Sequence, residues 1–126
     1  MLPVRGRGSG PRRASHVAAG RAAERRARRY YRLRGYRILA ANVRAGRNEL
    51  DLVVRRGSQL VFCEVKMKSG DGYGDPAAMV GPEKERRLRR VAQAWLAGRP
   101  ELAALEISFD VVAVHAGRIE RLRNVF

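Results

Sequence analysis

Between Tyr36 and Lys66 the chain carries three short apolar segments, YRILAANV (36–43), ELDLVV (49–54) and QLVFCEVK (59–66). Tight turns containing glycine separate them, Ala45-Gly46-Arg47 and Arg56-Gly57-Ser58. Segments rich in Val, Leu, Ile and Phe are strand formers, and connections this short join only antiparallel neighbours. The spacing therefore predicts a three-stranded meander, and the rest of the chain must cover its faces.

Two helices are available to do so. From about His16 to Arg34, Ala19, Ala22, Ala23, Ala27, Tyr30, Tyr31 and Leu33 project onto one broad face. Arg21, Arg25, Arg28, Arg29 and Arg32 take the other, with Glu24 on the border, and Gly35 closes the helix. The second helix opens after Pro82 with Glu83 and Glu85 in its first turn, where carboxylates suit the helix dipole. Its apolar stripe is Leu88, Val91, Ala92, Trp95 and Leu96, and Gly98 ends it. A buried-type strand, SFDVVAV (108–114), follows, and then a weaker one, IERLR (119–123). Residues 1–15 are rich in Gly, Pro, Ser and Arg and read as a mobile basic arm before a domain spanning 16–126. The segment 67–82, with four Gly and two Pro, reads as a loop.

The third strand is interrupted where it should be most apolar. Residues two apart in a strand face the same way, so Leu60, Phe62, Glu64 and Lys66 share a face, as do Glu49, Asp51 and Val53. Pairing through the 56–58 turn sets Val54 near Gln59 or Leu60 and Asp51 level with Phe62 or Glu64. Asp51, Glu64 and Lys66 then converge at one end of the hairpin. Two carboxylates suit a hard divalent cation, which stabilises phosphoryl oxygens and acidifies a bound water. An adjacent lysine can orient the attacking water, stabilise the transition state, or act as base if burial lowers its pKa. The plainer alternative is a solvated cross-strand ion pair worth little. Leu60 and Phe62 on the same face argue against it, because burying three ionisable groups is costly unless a cation joins them.

Charge points to the substrate class. The net charge is +15 with a pI near 11.5, and residues 1–48 contain fourteen arginines against one acid, Glu24. Such a surface fits a polyanion, nucleic acid before an anionic membrane. One cysteine and two histidines exclude an internal disulfide and make a His/Cys metal site improbable. No apolar run approaches the ~20 residues of a membrane span and no secretory leader is legible, so the expected setting is cytoplasmic and nucleoid-associated.

Asp51, then Glu64-Val65-Lys66, has the form of the PD-(D/E)xK motif of restriction-endonuclease-like nucleases. More narrowly, six ordered segments resemble the YraN-like family of small bacterial proteins: GRAAERRARRYY (20–31), GYRILAANVR (35–44), NELDL (48–52), VFCEVK (61–66), KERRLRRVAQAWL (84–96) and FDVV (109–112). Leu50 stands in the motif's Pro position, Asn48 replaces a Gly, and Met67-Lys68 replaces the usual Thr-Arg. The resemblance implies an α/β fold of order α-β-β-β-α-β, with a mixed central sheet flanked by helices. It implies Mg²⁺ or Mn²⁺ as cofactor, held by Asp51, Glu64 and the Val65 carbonyl, with Lys66 as the catalytic lysine and Glu24 assisting through water. The expected activity is hydrolysis of DNA phosphodiesters, selected by branched or end structure and leaving 5′-phosphates. DNA is favoured over RNA, and a homodimer is possible because many junction-cutting relatives of the fold pair up, although no interface is legible in the sequence. Arg21, Arg25, Arg28, Lys68, Lys84, Arg86, Arg89 and Arg90 would hold the backbone. A non-catalytic nucleic-acid-binding protein retaining the site is the alternative.

Other residues carry quieter expectations. Lys84 stands one turn before Leu88, so it either snorkels from the stripe or reaches the site or a phosphate. Asp110, between apolar neighbours, reads as a buried hydrogen-bonded structural acid before a support to the metal. Glu49 reads as a solvated hairpin residue, Cys63 and Trp95 as core, His115 as a turn residue and Tyr73 as a base-stacking candidate.

Overall fold

The computed structural model describes residues 9–67 and 81–126, with side chains in the first helix described from Ala18 onward. Its elements run α1 (Ser9–Leu33), β1 (Arg37–Ala45), β2 (Asn48–Arg56), β3 (Gln59–Met67), α2 (Pro82–Ala97), β4 (Glu106–His115) and β5 (Arg118–Leu122), with a 3-10 turn at Pro100–Leu102. The sheet order is β1-β2-β3-β4-β5. All neighbours are antiparallel except β3 and β4, which are parallel. The mixed α-β-β-β-α-β core is thus present, with β5 as an added edge. A parallel pair needs a crossover, and α2 supplies it.

The two helices cover opposite faces. Ala23, Ala27 and Tyr31 of α1, spaced by four, pack on Leu52, Val54, Val61, Cys63, Val112 and Val114. Leu88, Val91, Ala92 and Trp95 of α2 pack on Leu50, Val53, Leu60, Phe62 and Phe109. Phe62 meets Trp95 edge-on at 5.9 Å and stacks on Phe109 at 5.4 Å between ring centres. These are side chains whose burial contributes about 1.5–3 kcal/mol each.

Turn chemistry fixes the registers. Gly46 and Gly57 have positive φ in the two meander turns, and Ala116-Gly117 both do in the β4–β5 hairpin, as primed two-residue turns require. At the end of α1, Tyr36 N–H donates to the Tyr31 carbonyl and Gly35 N–H to that of Arg32. With Gly35 at φ 86°, this is the Schellman closure, and the Tyr31 and Tyr36 rings make its apolar contact at 5.2 Å.

Three expectations are corrected. The first helix begins at Ser9, ahead of the start expected near His16. Pro11 lies in the opening turn, where a missing N–H costs no intrahelical bond; residues 1–8 lie outside the described set. Leu33, expected on the apolar face, is 71% exposed, because it lies ~200° around the helix from Tyr31. The β2–β3 hairpin closes on Arg56↔Gln59, placing Val54 opposite Val61 instead of Gln59 or Leu60.

Candidate active site

Strands β2 and β3 pair from Arg56↔Gln59 to Leu52↔Cys63 and then part. Beyond that point β2 continues on β1 through Val43↔Leu50 and Ala45↔Asn48. β3 continues on β4 through Glu64↔Val111 and Lys66↔Ala113. The sheet therefore forks, and Asp51 and Glu64 stand at the crotch, where the continued register would set them opposite each other. Strict alternation also breaks in β2 here, since Leu50 joins Val53 in the α2-side core while Leu52 lies in the α1-side core.

The fork leaves backbone groups that the ladder no longer serves. Val65 N–H donates to Asp51 Oδ2 at 2.7 Å, so a side-chain oxygen replaces the missing carbonyl and holds Asp51 in place. The Asp51 carboxyl is hydrogen-bonded to that of Glu64. Burial, then the charge and hydrogen bond of Glu64 and the more distant charge of Glu24, push the Asp51 pKa up to about 8; the Val65 N–H works the other way. Glu64 is a buried charged residue of β3. Its Oε2 receives Lys84 Nζ at 2.6 Å and Lys66 Nζ at 3.5 Å.

The two lysines differ. Lys66 is pushed below the ordinary lysine range, chiefly by burial and then by the adjacent Lys84, with Glu64 opposing. Burial also works against the Lys84 ammonium, but its hydrogen bonds to Glu64 and Lys66 and the Glu64 charge outweigh it, so its pKa is raised. Lys84 thus reaches the site across the first turn of α2, the choice the sequence left open. Its helix position was readable; its reach to β3 was not.

The donor set fits a hard cation. Two oxygen acids, Glu64 buried and Asp51 half-buried, meet at the fork, and oxygen ligands are what Mg²⁺ and Mn²⁺ prefer. Asp51 and Glu64 would hold the ion. Glu24, half-buried on α1, is near enough for Asp51 to feel its charge. Among the described residues no group of three His, Cys, Asp or Glu gathers as a metal cluster. Val65 comes to the site through its N–H.

The other expected residues separate. Arg21, Arg25, Arg86 and Arg90 are exposed and Arg28 is half-buried. Arg89 is engaged by Glu85 at 3.0 Å and stands over Phe109 and Phe126. Lys68 and Tyr73 lie outside the described residues. Glu49 pairs loosely with Arg44 at 3.6 Å on the hairpin. Asp110 is the structural acid expected of it: it accepts from Tyr31 Oη at 3.0 Å, Arg121 Nε at 2.7 Å and Asn124 N–H at 3.1 Å. Arg121 was missed; one of two arginines in a weak edge strand, opposite Val112, it gave no sign of its partner.

A mixed sheet between two helices, with Asp and Glu-x-Lys at a fork in its central strands, defines a chain of the PD-(D/E)xK-like superfamily. Residues 23–114 match the model of "Uncharacterised protein family UPF0102". The chain belongs to that family. A UPF0102 protein of Bordetella avium is 44% identical over 86% of this chain and 74% of its own length. One from Frankia alni is 44% identical over 86% of this chain and 94% of its own. One from Klebsiella pneumoniae is 40% identical over 85% and 84%. No helix among the described residues is long and apolar enough to cross a membrane.

Proposed function

We propose that this protein is a metal-dependent nuclease that hydrolyses DNA phosphodiester bonds, selecting branched or end-containing DNA by shape. One observation carries the reading: two carboxyls held in contact at the sheet fork, with a lysine of lowered pKa two residues from one of them. A divalent ion bound by Asp51 and Glu64 would supply positive charge against the phosphoryl oxygens and help ionise the attacking water. Lys66, when neutral, can take the water's proton at Nζ as the oxygen attacks phosphorus. The P–O3′ bond breaks, the 3′ oxygen takes a proton from solvent, and the 5′-phosphate remains. Lys84 steadies Glu64, and the exposed arginines of α1 with Arg86 and Arg90 neutralise the backbone. Backbone contacts of this kind position a duplex without reading its bases.

A second reading, a nucleic-acid-binding protein without catalysis, is favoured by Lys84 on Glu64, which already supplies a counter-ion. Cleavage of a panel of branched, flapped and single-stranded DNAs with Mg²⁺ or Mn²⁺ separates the two. The nuclease reading expects wild-type cleavage that disappears in Asp51→Asn/Glu64→Gln while binding persists. Wild-type protein that binds these DNAs and cuts none with either ion supports the second reading, and tighter binding to structured RNA than to branched DNA counts against a DNA substrate.

A further inference from the structure

At the far end of β2 from the carboxylates, the α1–β1 turn and the β2–β3 turn enclose an open notch of about 400 Å³ lined by Gly35, Arg37, Arg55, Arg56 and Gly57. We propose that this notch is a phosphate-binding site. The proposal stands apart from the nuclease reading, since no carboxylate lines the notch and no residue of the fork takes part.

The register makes the case. Arg37 and Arg55 are direct cross-strand partners in the β1–β2 ladder. Like charges directly opposite one another destabilise a sheet, and an anion bound between them would offset that repulsion. A bulge between Ile38 and Ala40 shifts the register, so that Arg37 faces Arg55 instead of the neighbouring Arg56.

Two of the three guanidinium groups, those of Arg55 and Arg56, are also held in place by neutral partners. Arg55 Nε donates to the Gly57 carbonyl at 2.9 Å. Arg56 Nη1 donates to the Arg34 carbonyl at 3.0 Å, and its guanidinium stands 4.5 Å over the Tyr36 ring. Arg34, next to the notch, lies 3.6 Å over the Tyr30 ring and donates to the Tyr30 carbonyl at 3.2 Å. Glu106, across the turn, accepts from Ser58 Oγ. Carbonyls and rings order these cations and leave their charge uncancelled, which is the condition for binding an anion with little further loss of side-chain freedom. The left-handed backbone at Gly35 and Gly57, φ 86° and 60°, keeps the mouth free of Cβ atoms.

The phosphate could belong to a nucleic-acid backbone or to a free phosphate compound. Arg55 lies four residues along β2 from Asp51, ~13 Å by strand rise, or about four phosphates of one strand along a duplex axis. A bound duplex could thus touch both places.

The test uses the full chain in EDTA, so cleavage does not enter. The Nε–H resonances of Arg55 and Arg56 are followed by NMR during titration with pyrophosphate, and separately with a short DNA duplex. The comparison protein is Arg37→Thr/Arg55→Thr, in which the Arg56 resonance is followed. Movement with the duplex alone assigns the notch to nucleic acid; movement with pyrophosphate alone assigns it to a free phosphate compound; movement with both supports the shared chemistry. In each case the double variant should lose the responding ligand about tenfold or more and, without ligand at low salt, melt about 2 °C higher as the repulsion is relieved. Resonances that move with neither ligand, or a double variant that binds as the wild type does, would overturn the proposal.

Discussion

Asp51→Asn should make the protein more stable, whatever it does to the proposed cleavage. The Asp51 carboxyl, moved from 3.8 to about 8 by burial and by Glu64, holds its proton more tightly in the folded state than in the unfolded chain. Between about pH 4 and pH 8 the folded state then binds more protons, so stability falls as pH rises through that window. Raising a carboxyl from 3.8 to about 8 corresponds to at most about 6 kcal/mol. Water at the half-open fork and relaxation of the pair reduce this to about 2 kcal/mol. Asparagine cannot ionise, and its carbonyl can still accept from Val65 N–H. Urea unfolding in EDTA should show the variant about 2 kcal/mol more stable at about pH 8 and nearly equal to wild type at about pH 4. A variant that is no more stable at high pH, or one whose gain does not vary with pH, would refute the reasoning.

Lys84→Met removes an ammonium 2.6 Å from Glu64; Mn²⁺ affinity, read by the electron paramagnetic resonance of the free ion, should rise about tenfold, and unchanged affinity would show that Lys84 does not compete for the site. Arg121→Met leaves the buried Asp110 carboxylate without its ion-pair partner and should cost about 3–5 kcal/mol in urea unfolding. Adding Asp110→Asn in the same chain should recover a large part of that loss, and failure to recover any would point to packing as the cause. Arg21→Gln/Arg25→Gln should flatten the plot of log binding constant against log salt for duplex DNA by about 1.8, and an unchanged slope would remove α1 from the interface.

Much of this architecture was legible because its signals are local. Alternation and glycine turns marked β1 to β3, and the Leu88–Trp95 stripe marked α2, since both depend on residues within a turn or two of each other. The shared face of Glu64 and Lys66 followed from strand period alone. The start of α1 was not legible, because Ser9-Gly10-Pro11 carries loop residues that an opening helical turn also accepts. The β2–β3 register was missed because it depends on which two residues occupy the turn, Gly57 and Ser58.

Long-range placement was the larger gap. Nothing near Lys84 in sequence indicates Glu64, twenty positions earlier. The Asp110–Arg121–Tyr31 cluster joins three elements through one carboxylate. The facing of Arg37 and Arg55 depends on the bulge after Ile38. In each case the chemistry was visible as residue types, and the fold supplied the meeting.

Crystals of the full chain soaked in Mn²⁺ and measured at the manganese edge give the most direct reading of the fork. The account predicts an anomalous peak bridging the Asp51 and Glu64 carboxylates, with Lys84 Nζ moved off Glu64 Oε2. Crystals without a peak there, in which Asp51 still bonds Glu64 and Lys84 still holds it, would contradict it.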